Sequence, residues 1–181
     1  MIDRRHFFRG GAAVAAAVLL SGHTPYQQWV VYRRKHLLIG CHKDDPRTYD
    51  LAKLTVEMLN AHLPAAKARV ARAPHAGRLA SLLGTGQMEV AIMDKASASA
   101  MTKGAGIFAP YGQTALHLLA PINDRILVAQ ADLPSRHAWL LTEALIGTER
   151  STAADITAGL GITWHPGSAE FLQGHPEPSD G

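Results

Sequence analysis

The sequence predicts an α/β fold, a single three-layer domain with a mostly parallel sheet. Two short apolar runs, at 37–41 and 88–93, and an alternating stretch at 69–73 read as strands. Between them, apolar residues recur at helical spacing. Strand, helix, strand, helix, strand within about sixty residues implies right-handed βαβ units, whose strands lie parallel.

A leader precedes this domain. Arg4-Arg5-His6-Phe7-Phe8-Arg9 is followed at once by the uncharged run Gly10 to Leu20. That run suits a signal peptide but falls short of the roughly 20 apolar residues that span a bilayer. The Gly10-Gly11 pair and the alanines offer no amphipathic face to pack. The order of residues resembles the twin-arginine export signal of bacteria. Such signals direct already folded proteins out of the cytoplasm, so the expected location is the periplasm. No A-x-A precedes Ser21-Gly22-His23, which leaves both cleavage and retention as a membrane anchor open. The expected organisation is a signal segment at 1–22, a lead-in at 23–36, the α/β domain at 37–173 and a flexible tail at 174–181.

The charge is largely a targeting property. Of the formal net +3, the three arginines and one aspartate of residues 1–22 account for most. The remainder lacks the basic stripe that nucleic-acid binding needs. Arg33-Arg34-Lys35 reads as a solvated strand entry. A single cysteine, Cys41, excludes an intramolecular disulfide, so stability rests on packing.

The elements follow in order. The lead-in is polar and aromatic, with a turn of helix at 27–32. After the 37–41 strand comes a polar loop, His42 to Tyr49. Leu51, Leu54, Met58 and Leu59 then recur at helical spacing until Pro64. Pro74 to Gly77 turns into a second helix carrying Leu79, Leu82 and Leu83, stopped by Gly84 and Gly86. Residues 96–103 predict a short helix and 104–111 a loop. Strands at 116–121 and 126–130 flank the turn signal Asn123-Asp124. Leu133-Pro134 opens a helix over 135–146. Gly147, Gly159 and Gly161 punctuate the chain before Pro166-Gly167 and a last short helix through Phe171.

Three pieces carry a family resemblance. Thr48-Tyr49 closes the loop after the first strand. Leu79 to Ile92 runs from a leucine-rich helix through a glycine turn into a buried strand. Trp164-His165-Pro166-Gly167-Ser168-Ala169 stands near the C-terminus. In this order they resemble the TAXI-type solute-binding subunits of tripartite ATP-independent periplasmic (TRAP) transporters, with Ala131-Asp132-Leu133-Pro134 similar to a late segment. The resemblance covers about two thirds of the chain after the leader. It implies one lobe of a type II periplasmic binding protein, a small organic anion as ligand, and transporter membrane subunits or another periplasmic protein as partner. Family members are bilobal, whereas residues 94–125 are too few for a second lobe. Their glycine-rich loop is here Lys43-Asp44-Asp45-Pro46-Arg47.

Ligands of open parallel sheets meet the carboxyl ends of the strands. The candidate ligand-binding residues are therefore Lys43, Thr48, Tyr49, His75, Ala76 and Lys95, with Arg47 and Asp94 in the same loops. A helix starting near Ala76 offers free N–H groups to a carboxylate, and the lysines add positive charge. The alternative is a set of ordinary solvated loops.

No metal, cofactor or catalytic group is expected. The ten histidines show no i,i+4 or H-x-H pair beside a third ligand. Cys41 and His42, adjacent on a strand, point to opposite faces. No G-x-S-x-G elbow occurs, and Cys41 reads as a small core residue. His165 reads as a packing or capping residue. The expectation is an exported, non-enzymatic solute-binding-like protein; an accessory subunit that docks without solute is the alternative.

Overall fold

A computed structural model describes residues 36–147 and 161–179. The leader, the 27–32 helical turn, Arg33-Arg34-Lys35 and Gly159 lie outside the described residues.

The fold is α/β, with a five-stranded mixed sheet and helices on both faces. In chain order the elements are β1 (Leu38–His42), α1 (Pro46–His62), β2 (Arg69–Ala73), α2 (Ala76–Gly84), β3 (Val90–Met93), α3 (Lys95–Lys103), β4 (Leu116–Ile122), β5 (Arg125–Gln130), α4 (Ser135–Ile146) and α5 (Pro166–Leu172). Short 3-10 turns occupy Pro64–Ala66 and Gly106–Tyr111.

The sheet order is β2-β1-β3-β5-β4. β1 pairs in parallel with β2 and with β3, as the expected βαβ units require. The expectation of a mostly parallel sheet needs correction, because β5 runs antiparallel to both β3 and β4. A two-residue turn joins β4 to β5, since Ile122 pairs with Arg125. So tight a connection permits only an antiparallel pair. Asn123 takes the left-handed φ of 53° there, a conformation asparagine tolerates. β2 lies at the sheet edge, where exposed Arg69 and Arg72 make strand addition unfavourable. The β4 edge receives residues 163–165, bonded through Leu118 N–H to the Thr163 carbonyl and His165 N–H to the Leu118 carbonyl.

Alternation along the strands fills two cores. Ala91, Met93, Ile126 and Val128 face α2 and α3, with Leu79, Leu83, Met101 and Phe108 packed against them. Val90, Ile92, Leu127 and Ala129 face the opposite way, toward Leu51, Ala52 and Leu59 of α1 and Ala138 and Leu141 of α4. Cys41 belongs to this second core. Burial pushes its thiol up to about 11, against the lowering charge of Arg72, as an unreactive core residue requires.

Three local readings shift. α1 starts at Pro46 rather than near Leu51, because Asp45 caps it by accepting the Arg47 N–H and proline suits the first helical position. Leu51 and Leu59 are buried, but Leu54 and Met58 are 52% and 42% exposed. Residues 106–111 form a 3-10 turn rather than a loop. The tail returns along α4, where Trp139 Nε1–H donates to the His175 carbonyl at 3.2 Å and Arg136 pairs with Glu177 at 2.6 Å.

Candidate functional site

Parallel pairing sets the site. His42 lies opposite Ala73 in the β1–β2 register, and β3 runs alongside in the same direction. The loops after all three strands therefore leave from one end of the sheet. The β4–β5 turn joins them, since Met93 at the end of β3 pairs with Ile126 near the start of β5.

Acids and bases at this end are largely matched to one another. Arg125 Nε donates to Asp45 Oδ2 at 3.0 Å, and its second nitrogen reaches Asp124 Oδ2 at 2.7 Å. Arg47 Nε donates to Asp124 Oδ1 at 3.0 Å. That bond from Arg47 holds the Asp124 carboxyl below its usual range against the opposing effect of desolvation, with Arg125 adding to the lowering. Asp94 caps α3 by accepting the Ser97 N–H at 2.8 Å. Burial works against its charge most strongly, but the Ser97 bonds and the field of Arg125 together keep its carboxyl low. Arg47, a candidate cation for a ligand, is thus committed to Asp124.

The six predicted residues separate into two groups. Lys43, His75, Ala76 and Lys95 sit on the three strand-end loops or the first helical residues after them. Lys43 and Lys95 are exposed and make no ion pair among the described residues. His75 caps α2, its Nδ1 accepting the Arg78 N–H at 3.1 Å. Thr48 and Tyr49 do not join them. Because α1 begins early, Thr48 falls on its inner face, fully buried, with its hydroxyl donating to the Asp45 carbonyl at 2.7 Å. Tyr49 turns toward the β2 edge and lies between Arg72 and Lys53, at 4.6 and 4.8 Å from its ring centre.

The α2 N-terminus, expected to receive a ligand carboxylate, meets one from within the chain. Ala76 N–H donates to Asp44 Oδ2 at 3.1 Å. His42 Nδ1 faces the same oxygen at 3.8 Å, too far for a hydrogen bond. That nitrogen is buried and has no hydrogen-bond partner. On the neighbouring residue, Tyr111 packs so closely over Gly77 that a Cβ there would stand 2.6 Å from its hydroxyl. Asp44, His42 and Tyr111 were missed as site residues. The signal for Asp44 was available: of two aspartates before a proline, only Asp45 can cap α1, which leaves the other to reach across. Tyr111 carried no signal, because only the tertiary fold brings residues 106–111 to α2.

Elsewhere, a hollow of about 540 Å³ opens between α1 and α4, lined by Met58, His62, Leu63, Leu140, Glu143 and neighbouring residues up to Gly147. The predicted capping role of His165 is present, its Nδ1 accepting the Gly167 N–H at 3.3 Å. No group of three metal-ligating side chains occurs among the described residues, and no described helix is long and apolar enough to cross a membrane.

Comparison with known proteins bears on the leader. Residues 1–21 match the model of the TAT (twin-arginine translocation) pathway signal sequence, which supports export by that route to the periplasm or cell envelope. No curated protein matches the chain.

Proposed function

We propose that this is an exported, non-enzymatic solute-binding-like protein of the periplasm, related to one lobe of the TAXI-type subunits of TRAP transporters, which captures a small organic anion at the strand-end face. One observation carries the reading: the first N–H of α2, at the carboxyl ends of three parallel strands, already holds a carboxylate, that of Asp44. Helix N-termini favour such groups through free N–H donors and the helix dipole. Exposed Lys43 and Lys95 add long-range attraction for an anion. With one lobe the ligand stays partly wet, so affinity is modest, roughly micromolar or weaker. Calorimetry against dicarboxylates, amino acids and keto acids tests this. Failure of every member to bind at about millimolar concentration, which corresponds to some 4 kcal/mol, sinks it.

A second reading has its own support. The hollow between α1 and α4, with the exposed Leu54 and Met58 on α1, suits an accessory subunit docked on a membrane or periplasmic complex. Pull-down of one stoichiometric partner, lost in Leu54→Asp and Met58→Asp variants, with no solute bound, favours that reading over capture.

A further inference from the structure

We propose that Asp44 is a built-in occupant of the carboxylate seat at the α2 N-terminus, and that an external carboxylate binds by displacing it. This rests on the solute-binding reading above and adds how the site is regulated.

The floor of the seat is buried and incompletely used. α2 is nine residues long, and its Ala76 N–H points at Asp44. The His42 side chain is only 8% exposed, and its Nδ1 is an orphan aimed at the same carboxylate oxygen. Such buried polar atoms are uncommon in native structures and call for an explanation. The tether supplies it. Asp44 reaches the site through a single methylene, so its oxygen contacts the Ala76 nitrogen at 3.1 Å but remains 3.8 Å from His42 Nδ1. A free carboxylate carries no tether and can settle between both groups, satisfying each.

The occupant itself is easily released. The Asp44 side chain is 59% exposed. Its backbone neighbours are fixed on either side, Lys43 N–H by the Ala73 carbonyl at 3.1 Å and Asp45 by its cap and its bond to Arg125. Swinging the carboxylate into water therefore needs rotation about side-chain bonds alone. Two negative charges cannot share one N–H donor, so binding and release are coupled. The seated fraction of Asp44 lowers apparent affinity in proportion to the open fraction it leaves.

Succinate titrated into the ¹⁵N-labelled full chain at constant ionic strength reads this directly. In the wild type the Ala76 and Gly77 amides shift and saturate. In Asp44→Ala the same amides shift, with a dissociation constant lower by about tenfold or more. Should Asp44→Ala fail to fold, Asp44→Asn keeps the shape, lacks the charge, and moves the constant the same way. Equal affinities in wild type and variant, or saturation elsewhere with the Ala76 amide silent, overturn the displacement while leaving solute capture standing. No binding by either chain overturns both.

Discussion

Asp45 and Arg125, eighty positions apart in sequence, are joined at 3.0 Å, and the same aspartate caps α1 through its other oxygen. One side chain thus sets where the helix begins and fixes the β4–β5 turn against the β1 loop. Asp45→Ala is expected to cost about 1–2 kcal/mol, most of it from the lost cap. Arg125→Ala should cost less, because the pair is only partly buried and partly exposed ion pairs contribute little. Urea unfolding of both single variants and the double variant separates cap from pair, and strict additivity would show that the two residues are not coupled.

Gly167 is packed against backbone. A Cβ there would collide with the carbonyl of Ser135, which is backbone and cannot swing aside. Gly167→Ala should therefore destabilise by about 2–3 kcal/mol, in the range of overpacked cores, and loosen α5 from α4. An unchanged thermal midpoint would contradict the packing described.

His165 predicts a pH dependence. Burial, aided by the charge of His117, holds its imidazole below the ordinary value of 6.5. Above that value neither folded nor unfolded chain carries the proton. As pH falls through about 6.5, the unfolded chain takes up a proton that the folded chain refuses, so stability is lost on the acid side. His165→Asn keeps a capping side chain but does not titrate. Between pH 7.5 and 5.0 its urea midpoint should fall less than that of the wild type.

Export by the twin-arginine route should depend on the arginine pair of the leader. Exchanging Arg4 and Arg5 for lysine preserves charge but not the planar guanidinium. Full-length protein is then expected to accumulate in the cytoplasm, as fractionation and immunoblotting would show. Normal export of the double-lysine chain would count against recognition of the pair.

How far the sequence could be read depended on the range of each interaction. β2, α2 and α4 were legible because their patterns are local: the alternation of Arg69 to Ala73, the leucines after Gly77, the proline before Ser135. The place of β5 between β3 and β4 was not, since Met93 finding Ile126 is decided by tertiary pairing. The site shows the same division. His75 and Ala76 were placed correctly at a helix start. Thr48 was expected in a loop, but the helix begins at Pro46 and makes it a core residue. Asp44 was read as part of a charged loop, although its role depends on a contact 32 positions away.

The position of β3 has a consequence for how the chain is made. It bonds β1 through Ile39 and Val90 and, on its other side, β5 through Met93 and Ile126. Both pairings close long loops before any strand bond rewards them, and such non-local contacts fold slowly, over roughly milliseconds to seconds. At about 5–20 residues per second of synthesis, β3 leaves the ribosome seconds before β5. Until the hairpin arrives, Val90–Met93, buried throughout in the finished domain, presents an apolar, unpaired edge to its surroundings. The leader at residues 1–21 has emerged by then. A translocation route that carries folded cargo keeps the open edge in the cytoplasm, within reach of chaperones, until β5 closes it.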